Sequence, residues 1–139
     1  MSAKISERFA IRSYERTGTA ATDIAWIDGA GLARFGVKCS ATALTGVGVT
    51  VFKILGNSAS DGSGTDVVLA THAVGSAPDA VNDQLYLEVS KDQIVALSQS
   101  GARYLSANVT QANAADQTCV TYVAEHELQK SGLTGDIVA

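Results

Sequence analysis

Proline and tryptophan occur once each in 139 residues, histidine and cysteine twice each, and no apolar run approaches the ~20 residues of a membrane span. Each scarcity closes off a class of protein. Cys39 and Cys119 are too few and too far apart for a disulfide scaffold, and neither belongs to a CxxC pair, so both are expected as buried reduced thiols. His72 and His126 each stand alone in an apolar stretch, with no carboxylate–His–His spacing that would build a zinc site. The opening "MSAKISERFAIRSYERTG" has no continuous hydrophobic core of the signal-peptide kind, so synthesis and first folding are expected in a cytoplasm.

Chemistry-bearing patterns are also scarce. There is no G-x-S-x-G elbow, and Gly46-Val47-Gly48 precedes a strand where a phosphate loop would precede a helix. No catalytic constellation follows, and neither an enzyme nor a cofactor is expected. A net charge of −4 argues against a chain that coats nucleic acid. The charge is unevenly spread: residues 1–53 carry seven basic and four acidic groups, whereas residues 54–139 carry three and ten.

What is present is period two. In "RFGVKCSA" Phe35, Val37, Cys39 and Ala41 alternate with Arg34, Gly36, Lys38 and Ser40, the pattern of a strand with one buried face. "VGVTVFKIL" (47–55), rich in β-branched residues, reads as a central strand. Further strands are expected at 65–74, 83–89, 102–110 and 117–128. One helix is expected at 91–100, where Ser90-Lys91-Asp92-Gln93 fits a capping box and Gly101 supplies a left-handed cap. Six short strands with one helix predict an all-β fold, an antiparallel β-sandwich of jelly-roll-like type. The organisation expected is an N-terminal arm at 1–20, the sandwich at 21–132 and a C-terminal tail at 133–139.

Two segments are candidate sites. Lys4, Arg8, Arg12 and Arg16 recur every fourth residue beside Ile5 and Phe9. A helix would align the four cations, whereas an extended arm would set Arg12, Tyr14 and Arg16 on one side. Either suits docking on an acidic neighbour, and the alternative is a solvated face with Ile5 and Phe9 in the core. The loop "GNSASDGSGTD" (56–66) places Asp61 and Asp66 among glycines in a calcium-like pattern, but two carboxylates fall short of the six to eight oxygens calcium wants, and a hairpin loop is expected, with no metal.

The strand–loop–strand "VTVFKILGNSASDGSGTDVVL", with "ARYLSANVTQANAADQTCVTYVAEHEL" after it, resembles the small β-sandwich virion proteins of tailed bacteriophages over about residues 47–128. In that family a strand leads into a Ser/Asp-rich turn, and an Arg-Tyr strand is followed by a hairpin. This chain departs from the pattern at Leu105 and Ser106 and lacks an aromatic after the turn. The resemblance implies a capsid decoration, or cement, protein on the virion surface. Its partner would be the major capsid protein, and it would be a homo-oligomer, commonly a trimer, with neither nucleic acid nor membrane as partner. The partner-binding residues expected from the arm are Lys4, Ile5, Arg8, Phe9, Arg12 and Arg16. The alternative is a carbohydrate- or receptor-binding β-sandwich module of a tail or head spike, using Trp26 with Asp23 and Asp28 in "TDIAWIDGAG"; a core tryptophan beside a turn would explain the same residues.

Overall fold

The computed structural model describes residues 9–17, 22–23, 25–43, 48–72, 80–113 and 115–126, with backbone alone at Phe9, Ala10, Arg12, Glu15, Arg16, Thr17, Thr22 and Asp23. Nine strands are present among the described residues: β1 (Phe9–Thr17), β2 (Thr22–Asp23), β3 (Ile27–Asp28), β4 (Leu32–Ala43), β5 (Val49–Asn57), β6 (Val67–Thr71), β7 (Gln84–Ser90), β8 (Tyr104–Gln111) and β9 (Gln117–His126). The single helix among the described residues, α1, spans Lys91–Gln99. Phe9–Thr17, open between helix and extended arm on sequence alone, is a strand paired residue for residue with β9.

The strands form two antiparallel sheets. One has the order β1-β9-β4-β7; the other has β2-β8-β5-β6, with β3 also on β8. Counting β2 and β3 as one interrupted strand, the pairs nest: β1 with β9, β2/β3 with β8, β4 with β7, β5 with β6. This nesting is the strand order of a jelly roll, two Greek keys folded face to face.

Period two builds the core. Phe35, Val37, Cys39 and Ala41 point between the sheets and are all buried, facing Phe52, Ile54, Leu105, Ala107 and Val109 of the second sheet. Tyr122 joins them, with Phe35 edge-on at 5.2 Å and Tyr14 at 5.3 Å between ring centroids. Its hydroxyl has a specific task. β2 pairs with β8 at Asn108 and Val109, and β3 at Tyr104 and Leu105, so Ala107 lies in the gap between them. The Ala107 N–H donates to the Tyr122 hydroxyl at 3.1 Å, and Ser106 Oγ lies 3.1 Å from the same oxygen. A donor that the broken strand would orphan is thereby satisfied.

The thiols separate by face. Cys39 is buried, and burial pushes its thiol up to about 11, with a hydrogen bond to Thr118 opposing. Cys119, opposite Ser40, is only half-buried, because it projects from the other side of the sheet. Both are free cysteines.

Helix α1 starts as the sequence predicts: Ser90 caps it, Gln93 N–H reaches Ser90 Oγ at 3.4 Å, and Gln93 Oε1 accepts from Ser90 N–H at 3.0 Å. Gly101 takes φ +92° just past its end, the left-handed region that favours glycine. Ile94 and Leu97 are buried, and Leu97 packs so closely on Gly56 that a Cβ there would lie 2.6 Å from its methyl groups.

Candidate interaction surfaces

The loop after β5 is organised by one buried side chain. Asn57 is 0% exposed. Its Nδ2 donates to the carbonyls of Gly62 (3.2 Å) and Gly64 (2.9 Å) and to Asp66 Oδ1 (2.8 Å), while its Oδ1 accepts from the N–H groups of Ala59 (2.9 Å) and Gly64 (3.1 Å). Asp61 accepts the Ser63 N–H at 3.0 Å. The carboxylates close turns in this loop, and among the described residues no group of three or more His, Cys, Asp or Glu stands ready to hold a metal.

This loop leans on Trp26. Gly62, at φ +76°, brings its Cα so near the indole that a Cβ would lie 2.2 Å from Nε1. Asp28, two residues on, is gripped by Arg103: Nε donates to Oδ1 at 2.7 Å and a terminal nitrogen reaches Oδ2 at 2.5 Å, with the guanidinium 5.9 Å from the Tyr104 ring. Asp23 sits opposite Asn108 and Asp28 opposite Tyr104, so four residues of β8, roughly 13 Å, part the two acids. Asp23 and Asp28 therefore stand at separate points along β8.

Of the arm residues, Lys4, Ile5 and Arg8 lie outside the described residues. Phe9, Arg12 and Arg16 are on β1, in register with Glu125, Tyr122 and Thr118 of β9. β1 is an edge of the four-stranded sheet. The tail at 133–139 also lies outside the described residues.

The outward face of that sheet carries a second group of residues. Tyr86 of β7 lies diagonally across β4, its hydroxyl over Gly36; a Cβ on Gly36 would collide with it. Arg34 reaches Glu125 at 2.6 Å through Nε and Glu88 at 3.7 Å. The Glu125 hydrogen bond holds the Arg34 guanidinium protonated more firmly than usual. Together with Val123 these residues line a shallow cleft of about 130 Å³. Tyr86 is 50% exposed and Ile11, beside Val123 on β1, is 59% exposed. An aromatic, an aliphatic and an arginine held by carboxylates on one exposed sheet face suit recognition of a surface. The sequence signal for this group was Gly36, a glycine inside an alternating strand, which marks close approach of another group.

No protein-family model and no curated protein sequence matches the chain. Among solved structures, the chain is similar to the SPBc2 prophage-derived protein YomS, at 14% identity and a TM-score of 0.46 over 84% of this chain and 95% of that one. It is also similar to the protein of Bacillus endospore appendages that form disulfide-linked pili, at 12% identity and a TM-score of 0.37 over 91% and 98%. Its structural neighbours thus include a prophage-derived protein and a spore pilus protein. Likeness of this size bears on neither activity nor partner.

Proposed function

We propose that the chain is a structural protein of a tailed-phage virion, a capsid decoration or cement protein that binds the outer surface of the major capsid protein lattice and stabilises it. In this reading it is made in the host cytoplasm, ends on the capsid surface as a homo-oligomer with a trimer favoured, and performs no chemistry. The observation that supports it is β1: a nine-residue edge strand carrying Phe9, Arg12 and Arg16, directly after Lys4, Ile5 and Arg8 in the chain. Cations and apolar residues concentrated on β1 and in the residues that precede it in sequence suit a partner that supplies carboxylates.

The test is co-sedimentation with expanded empty capsids of the encoding phage, with the capsid melting temperature as second readout. Binding is expected to raise that temperature, and reversing Lys4 and Arg8 to glutamate is expected to weaken binding while leaving the protein folded. Truncation should stop at residue 8, because removing residues 9–17 would strip β9 of a partner strand. Folded protein that fails to sediment with capsids sinks the reading.

A further inference from the structure

The two sheets differ in how their edges are finished. In the five-stranded sheet, β2 and β3 are two residues each, and β6 has a register shift opposite Ile54/Leu55 and gives its Leu69 carbonyl to Gln93 Nε2 at 3.3 Å. Short, bulged and capped edges do not template pairing. The edges of the four-stranded sheet are longer. β1 runs nine residues without a register shift and β7 seven, and among the described residues nothing pairs with the far side of either.

The backbone on those open sides can be assigned. Ala41 donates its N–H to Asp83 O at 3.0 Å and accepts from Asn82 N–H at 2.9 Å, so Ala41, Cys39, Val37 and Phe35 turn their backbone groups toward β7, and Ser40, Lys38 and Gly36 toward β9. Carried through the β9 register, alternation turns Ala10, Arg12, Tyr14 and Arg16 toward β9 and leaves Phe9, Ile11, Ser13, Glu15 and Thr17 facing outward. On β7 the outward set is Gln84, Tyr86, Glu88 and Ser90.

We infer that copies of this chain join head to tail, β1 of one beside β7 of the next, so that the four-stranded sheet continues from subunit to subunit. Direction permits it: with four antiparallel strands the two edges run oppositely, and identically oriented copies meet in antiparallel fashion. Pairing Ile11 with Tyr86 of the next copy brings together two large apolar side chains that are exposed on this face among the described residues. That register sets Phe9 opposite Glu88 and Ser13 opposite Gln84. Arg12 and Arg16 then fall diagonally either side of Asp83. Pairing of β1 with itself instead places arginine against or diagonal to arginine in each register that overlaps the strand well, and like charges across strands repel. A head-to-tail contact of this kind gives a ring where the rotation between copies closes and a filament where it does not; the ring accords with the trimer of the proposed function without resting on it.

The experiment uses full chains in a Cys119→Ser background. One protein carries Ile11→Cys and another Tyr86→Cys; residues facing each other in a hydrogen-bonded pair lie about 5.5 Å apart at Cα, within disulfide range. The mixture is expected to oxidise to a linked heterodimer on a non-reducing gel, and neither protein alone to do so. Ser13→Pro removes an outward N–H without touching the β9 ladder, so it is expected to give a folded monomer by far-UV circular dichroism and sedimentation, whereas Ser13→Ala remains assembled. A mixture that does not link, a Ser13→Cys protein that links to itself, or a native chain that sediments as a monomer overturns the inference. A monomer that still decorates capsids would overturn it while leaving the proposed function standing.

Discussion

Gln93 and Leu69 connect the helix to the edge of the second sheet: Gln93 Nε2 donates to the Leu69 carbonyl at 3.3 Å while its Oε1 accepts the Ser90 N–H. One side chain closes the helix start and blocks a carbonyl on β6. Gln93→Ala removes both and is expected to cost about 1–2 kcal/mol. Gln93→Glu keeps the acceptor for Ser90 but turns an oxygen toward the Leu69 carbonyl, so its urea midpoint should fall between those of wild type and alanine.

Gly62 meets two demands at once, a φ of +76° and contact with the Trp26 indole. Gly62→Ala is expected to cost about 2 kcal/mol from left-handed backbone strain and collision. Trp26 is the sole tryptophan, so its fluorescence should move to longer wavelength as the loop lifts.

Asp61 is fully exposed, and the Ser63 hydroxyl, then the Ser63 N–H, hold its carboxyl below the usual range. A lowered folded value means that its contribution is present above about pH 4 and fades as pH falls further. Asp61→Ala should melt below wild type at neutral pH, with the gap closing only as pH falls well below 4, and calcium should leave the melting temperature of either protein unchanged. A rise with calcium would contradict the account of the loop as a turn built on Asn57.

Tyr122→Phe keeps the ring packing against Phe35 and Tyr14 but leaves the Ala107 N–H and Ser106 hydroxyl buried without their shared partner. The expected loss is about 1–3 kcal/mol, read by chemical denaturation.

Thiol titration should find two classes. Cys119 is half-exposed and is expected to react with a disulfide reagent at pH 8 in the native protein, while Cys39, with its thiol raised to about 11, reacts only on unfolding. Simultaneous reaction of both in native buffer would contradict the burial of Cys39.

Much of the local structure was legible. Alternation in 34–41 placed Phe35, Val37 and Cys39 inward, and the letters S-x-x-Q located the helix start to the residue. β1 was not legible, because its four-residue spacing of cations serves a helix as well as a strand, and only pairing with β9 decides between them. Nor were β2 and β3, since two-residue strands have no period to read. The grip of Arg103 on Asp28 was not legible either, because it crosses 75 residues of sequence.

Periodicity and turn chemistry act between neighbours, so the sequence by itself determined that this protein is made of half-buried strands, one capped helix and a turn at 56–66. The order of those strands depends on contacts between distant residues, in which each sheet gains from burying the other. Only the tertiary structure decided that the strands nest as a jelly roll, that Asn57 and Trp26 hold the loop, and that the long open edges both belong to the four-stranded sheet.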